Sequence, residues 1–131
     1  RECMEEISRD EYRVTYNPAT ATVAFYGKLR LYGWAAYQPI EELLRRAIAG
    51  DPELVTLDVS GLEFMNSTGI DMLYRFAHRV SEHASGLAVQ RSKLPIPWQR
   101  RLISTLEMME PNLRVVLTDE ESEQSASSEA D

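Results

Sequence analysis

Asn66, Ser67 and Thr68 stand in a row just before a run with helical apolar spacing. Each carries a short side chain that can accept a hydrogen bond from the free N–H groups of a helix start. Thr68 with Asp71 adds a capping-box pattern. A hydroxyl at that place also sits where the helix macrodipole and the unpaired N–H groups best accommodate negative charge. Phosphorylating it would add about −1.5 to −2 charges, at small cost to the fold and large consequence for any partner docked over the loop. Local chemistry therefore supports two readings, a well-capped helix start or a reversible charge switch.

The other residue types that do chemistry are thinly spread. Asp58 ends an apolar run, at the strand end where α/β folds place ligands, although capping the turn that follows is its simpler role. His78 and His83 lie five apart and do not share a helix face as i, i+4 metal ligands would, so both read as surface histidines. Cys3 is the one cysteine, which excludes an intrachain disulfide and a multi-cysteine zinc site. There is no Ser/His/Asp or Cys/His set, no Walker lysine and no Gly-rich phosphate loop. The expectation is a protein that is not an enzyme, with no metal and no cofactor. On the helix after the motif, Met72 and Phe76 fall on one flank of the apolar stripe and Arg75 and Arg79 further round. An exposed Met72 beside a partly exposed Phe76 would make a contact patch, with the arginines complementing an acidic partner or a phosphate.

The elements that must position these residues are legible as alternating patterns. Residues 12–16 and 21–26 are rich in β-branched and aromatic side chains and flank the turn residues Asn17-Pro18-Ala19-Thr20, which describes a hairpin ending at Gly27. Ile40, Leu43, Leu44, Ala47 and Ile48 set a helix that Pro39 starts near Gln38 and Gly50 ends. Residues 54–59 read as a strand buried on both faces, and residues 60–69 as a loop. Ile70, Leu73, Ala77, Val80 and Ala84 set the core stripe of the next helix. Residues 87–91 are a fourth strand, and Trp98 seals the core edge at the head of a third helix, 98–109, with Leu102, Ile103, Leu106 and Met109 inward. A last strand covers 113–117. Strands alternating with helices imply right-handed parallel crossovers, so the expectation is an α/β fold. It consists of a mixed five-stranded sheet, an N-terminal hairpin then parallel strands, with about three helices.

Charge divides the chain. The 131 residues carry a net −7, but Asp119, Glu120, Glu121, Glu123, Glu129 and Asp131 supply six of the acids with no base among them. The first 118 residues hold 15 acids against 14 bases, a balance of −1. The expected organisation is an N-terminal arm (1–11), one domain (12–118) and an acidic disordered tail (119–131). A nearly neutral body with no basic block argues against nucleic-acid binding. No apolar run reaches membrane-spanning length and no signal-like segment opens the sequence, so the expected location is the cytoplasm, without membrane insertion.

Residues 57–70, Leu-Asp-Val-Ser-Gly-Leu-Glu-Phe-Met-Asn-Ser-Thr-Gly-Ile, resemble the signature of STAS domains, the anti-sigma factor antagonist family. Its pattern is an apolar strand ending in Asp, a Ser-Gly turn, an apolar pair, then Asp-Ser-Ser/Thr-Gly opening a helix. The resemblance extends over roughly residues 12–118 and includes Gly27 and Ser85-Gly86. It implies a non-enzymatic bacterial regulator that works by partner switching in transcriptional signalling. Its partners would be an anti-sigma factor or related serine kinase with a histidine-kinase-like ATP fold, and a PP2C-type phosphatase. By motif position the phosphoacceptor is Ser67, with Thr68 second, and Asn66, Ser67, Thr68, Met72, Arg75, Phe76 and Arg79 form the partner surface. Two departures stand out: Asn66 replaces the family's acid, and the tail offers no apolar face for the usual closing helix. The first leaves open a constitutive, unphosphorylated STAS subunit of a stress-sensing or ABC-transporter-associated assembly.

Overall fold

Residues 4–94 and 96–118 are described by the computed structural model of the chain. Asn17 makes the first turn as its side chain promises: its Oδ1 accepts from the Ala19 N–H at 3.0 Å and its carbonyl from the Thr20 N–H at 3.3 Å. The turn joins β2 (Tyr12–Asn17) to β3 (Thr22–Leu29). A further strand, β1 (Glu5–Ser8), pairs antiparallel with β2. The sheet thus has six strands where five were expected, and part of the segment set apart as an arm supplies an edge. Its residues are Glu5, Glu6, Ile7 and Ser8, with Glu5 and Ile7 half-buried and Glu6 and Ser8 exposed, so this edge strand carries little of the apolar signal that marks an interior strand. The tail expected over 119–131 lies outside the described residues.

Next come α1 (Trp34–Ala49), β4 (Leu54–Met65), α2 (Ser67–Glu82), β5 (Gly86–Ser92), α3 (Pro97–Met109) and β6 (Arg114–Thr118). The strand order is β1-β2-β3-β4-β5-β6, antiparallel up to β3 and parallel beyond it. Because successive parallel strands are neighbours, right-handed crossovers set the three helices on one face. Accordingly Val55, Leu57 and Val59 of β4 are buried while the alternating Thr56 and Asp58 are half-buried. The expectation of a strand buried on both faces is corrected by this one-sided cover.

α1 begins a full turn before Pro39, which lies inside the helix rather than at its start. Pro39 lacks the N–H that would bond the Ala35 carbonyl, and the gain is that Tyr37 becomes a fully buried helical residue. β4 runs on through the residues expected to be a loop. Asp58 Oδ1 accepts from both the N–H and the hydroxyl of Ser60, at 3.0 and 2.6 Å, so its role is local, at the irregular stretch of the β3–β4 ladder. Gln99 at the head of α3 is wholly buried. Its Nε2 donates to the carbonyls of Val59 (2.7 Å) and Leu62 (2.9 Å), and its Oε1 accepts from the Ser92 N–H at 3.0 Å. That amide closes the gap left where β4 departs from β5. Trp98 is buried beside it and donates to the Glu63 carbonyl at 3.0 Å. In α3, Leu102, Ile103 and Leu106 point inward as expected, but Met109 is 41% exposed.

Candidate functional site

The site begins where β3 ends. Gly27 has φ +91°, and a Cβ there would overlap the Glu11 carbonyl oxygen, so only glycine lets β3 pass this close to the β1–β2 turn. The Lys28 N–H bonds that same carbonyl at 2.9 Å, and Arg30 forks onto the Glu11 carboxylate at 3.1 and 2.8 Å. Arg30 holds the Glu11 carboxyl below the usual carboxylate range through this bond. The strand is thereby fixed up to Leu29, whose carbonyl accepts the Asn66 N–H at 3.0 Å.

Asn66 is the N-cap of α2. Its Oδ1 accepts from the Gly69 N–H at 3.1 Å and from the Tyr37 hydroxyl at 2.6 Å, while its Nδ2 donates to the Leu31 carbonyl at 2.8 Å. These partners fix the amide orientation, because the flipped amide would set NH2 against the Gly69 N–H and oxygen against a carbonyl. The expected capping box of Thr68 with Asp71 does not form; one residue carries the cap and two further bonds. Burial holds the Tyr37 hydroxyl above the usual tyrosine range, so at neutral pH it stays protonated and donates. Asn66 thus ties the β3–α1 connection, α1 and α2 together. An aspartate would bring a carboxylate oxygen against the Leu31 carbonyl, so the amide in place of the family's acid has a structural cause.

Ser67 is the first residue of α2 and is exposed; Thr68 beside it is half-buried. Asn66 satisfies Gly69 N–H by side chain and Ile70 N–H by backbone, at 3.1 and 3.0 Å. Among the described residues the Ser67 and Thr68 N–H groups and the Ser67 hydroxyl have no hydrogen-bond partner. The helix therefore presents an accessible hydroxyl beside free donors, an arrangement suited to carrying an anion.

The expected patch on α2 is corrected. Met72 and Phe76 are 1% and 3% exposed. The buried residues of α2 are Gly69, Met72, Leu73, Phe76, Ala77 and Val80, a broader face than the stripe read from the sequence, because α2 packs between α1 and α3. Ile70 is only half-buried, and Ala84, placed in that stripe, lies past the helix, exposed at φ +61°. Met72 and Phe76 instead floor a shallow hollow of about 20 Å³ between α1 and α2, rimmed by Glu41, Arg45, Arg75 and Arg79. Arg75 is engaged within the molecule: it bonds Glu41 at 2.7 Å and stacks over the Trp34 ring at 4.0 Å. Arg79 has no ion-pair partner among the described residues.

What the sequence reading missed is aromatic. Tyr32 is 94% exposed, Trp34 50% and Phe64 43%. Tyr32 follows the carbonyl that Asn66 binds, Phe64 precedes Asn66 by two residues, and Trp34 is held by Arg75 of α2. Three large rings are thus exposed on segments tied to α2 or leading into it. Their exposure was the only available signal, and it depends on the tertiary fold.

The STAS-domain family model matches residues 34–91, which hold α1, β4, α2 and all of β5 except Ser92. The STAS resemblance read from residues 57–70 is thus shown over that stretch. No curated protein matches the chain. Among solved structures, SiaC of Pseudomonas aeruginosa superposes with a TM-score of 0.67 at 10% identity, covering 90% of this chain and 99% of its own. SiaC is also seen in complex with the diguanylate cyclase SiaD, whose activator it is; that structure has TM-score 0.67 at 9% identity, covering 88% and 98%. An anti-sigma factor antagonist from Mycobacterium paratuberculosis gives 0.55 at 17% identity, covering 86% of each chain. At such identities the likeness is one of fold. No helix among the described residues is long and apolar enough to cross a membrane.

Proposed function

We propose that this STAS-fold chain is a regulatory binding module, not an enzyme, whose partner is switched by reversible phosphorylation of Ser67. The observation that carries the reading is the exposed Ser67 hydroxyl at the Asn66-capped start of α2, next to two N–H groups without partners. A phosphate there meets positive helix-end potential inside its own molecule and changes the surface a partner must cover. The fold is secured elsewhere, by Asn66, Tyr37 and the buried face of α2, and does not use the Ser67 hydroxyl. Thr68 is the second choice because it is less accessible.

The partner surface in this reading is Asn66, Ser67 and Thr68 with the rings of Tyr32, Trp34 and Phe64, and with Arg75 and Arg79 on the flank. Met72 and Phe76 support it from beneath. Exposed aromatic residues are the side chains that most often carry binding energy. SiaC, which shares the fold, has an enzyme as its partner. The family resemblance suggests an anti-sigma factor or serine kinase with a histidine-kinase-like ATP fold, opposed by a PP2C-type phosphatase, in the bacterial cytoplasm and acting on transcription. The rival reading, a constitutive subunit that is never phosphorylated, drew its support from Asn66. The bond to the Leu31 carbonyl accounts for that residue by the fold.

The test uses the tagged chain expressed in its own cells, with the retained protein identified by mass spectrometry. Ser67→Ala should keep a partner that Ser67→Asp releases, at least tenfold, with both variants melting as the wild type does. Equal retention by the two variants would overturn the reading.

A further inference from the structure

We propose that the hollow between α1 and α2 docks an acidic segment of the partner protein, with one small apolar side chain on its floor and carboxylates on its arginines. This rests on the binding-module reading above and adds the chemistry of what is bound. Met72 and Phe76 form the apolar floor, and the rim sets Arg45, Arg75 and Arg79 against the single acid Glu41. A chain of net charge −7 thus gathers three cations around one apolar hollow. The three are not equally engaged. Arg75 is held by Glu41 at 2.7 Å and lies over the Trp34 ring. Arg45 meets Glu42 of its own helix at 3.3 Å, an exposed pair of the kind that contributes little. Arg79 has no ion-pair partner among the described residues. Arg45 and Arg79 are therefore the cations open to a carboxylate from outside.

Size and charge select the occupant. About 20 Å³ admits roughly one water-sized group, the bulk of a methyl, and falls far short of the several hundred Å³ that a small-molecule ligand fills. The rim opposes a basic segment, since like charges set against each other across an interface are costly. A protein segment that mixes small apolar and acidic residues satisfies both floor and rim. Arg79 lies twelve residues beyond Ser67 on α2, about 18 Å at 1.5 Å per residue. That exceeds the Debye length of about 8 Å at physiological salt. A charge on Ser67 therefore leaves the attraction of the hollow in place and acts on the part of the partner that lies over the helix start.

The probe is a fluorescein-labelled synthetic peptide of glutamate and alanine with one central valine, compared with the same peptide carrying lysine for glutamate. Fluorescence anisotropy uses the full chain at about 0.1 M salt, where the Debye length is about 10 Å. The acidic peptide should bind with a Kd below about 1 mM, at least tenfold more tightly than the basic one. Arg79→Glu and Arg45→Glu should each weaken it at least tenfold with melting unchanged, while Arg100→Glu, on an exposed position of α3, should not. A photo-reactive benzophenone on Arg79→Cys in a Cys3→Ser background should cross-link the peptide, and one on Arg100→Cys should not. Ser67→Asp should bind the peptide within twofold of the wild type. If Ser67→Asp fails to release the cellular partner while the peptide still binds, the switch falls and the hollow stands. No binding, equal binding of the two peptides, indifference to a folded Arg79→Glu, or equal cross-linking from positions 79 and 100 would each overturn the proposal. So would a loss in Ser67→Asp as large as that in Arg79→Glu, or a dimer of the chain that Arg79→Glu dissolves, which would give the hollow to a second copy.

Discussion

Removing the Asn66 side chain and the Tyr37 hydroxyl, singly and together, tests whether the start of α2 is held by one connected network. Asn66→Ala takes away the N-cap on Gly69, worth about 1 kcal/mol. It also takes the 2.6 Å acceptor from the Tyr37 hydroxyl, which keeps only the longer contact with the Leu29 carbonyl at 3.4 Å, a further loss of about 1 kcal/mol. The single variant should therefore lose about 2 kcal/mol. Tyr37→Phe removes the short bond to Asn66 and the long one to the Leu29 carbonyl but leaves Asn66 Oδ1 bonded to the Gly69 N–H and the Leu29 carbonyl bonded to the Asn66 N–H, so it should lose about 1 kcal/mol. The double variant loses the shared Tyr37–Asn66 bond only once. Its cost should fall short of the summed singles by about 1 kcal/mol or more, the signature of residues in direct contact. Urea denaturation followed by circular dichroism measures all three on one scale. Additivity within about 0.5 kcal/mol would show that the 2.6 Å contact does not couple them and that the cap stands alone.

Three further outcomes follow from the same geometry. The raised Tyr37 pKa means that the folded state holds this proton more tightly than the unfolded chain, so its contribution is intact below about pH 10 and is lost as pH rises through the folded value. The urea midpoint should drop more steeply above pH 10 in the wild type than in Tyr37→Phe; parallel curves would refute the assignment. Gln99→Leu strands two carbonyls and one N–H in the interior and should cost at least about 3 kcal/mol, whereas a loss below 1 kcal/mol would mean that the amide is dispensable. Gly27→Ala forces a Cβ onto the Glu11 carbonyl at positive φ and should cost more than about 1 kcal/mol, read as a lowered melting temperature; an unchanged melt would contradict the close approach.

Alternation and helical spacing made the hairpin, β5, α3 and the capped start of α2 readable, because each is decided by near neighbours in the chain. β1 was not readable: an edge strand of Glu, Glu, Ile and Ser buries too little to leave a pattern. The full length of β4 was hidden for a different reason. Ser60-Gly61 looks like a turn, and only Gln99, some 40 residues on, supplies the bonds that let the strand continue. Pro39 misled because a proline usually opens a helix, yet burying Tyr37 favours one more turn ahead of it. Met72 and Phe76 fit the helical period as well as the chosen stripe did; how wide a face α2 buries depends on having a helix on each side. The run Asn66-Ser67-Thr68 stood out as a helix start from local chemistry, but the 29-residue link from Asn66 to Tyr37 and the exposure of Tyr32, Trp34 and Phe64 exist only once the chain has folded.

Phosphosite mass spectrometry on the protein isolated from its own cells, with and without phosphatase treatment, addresses the central claim most directly. The account predicts a phosphate on Ser67 that phosphatase removes and whose occupancy changes between growth and stress. Ser67 unmodified under every condition, while the chain stays bound to a constant partner, would contradict it.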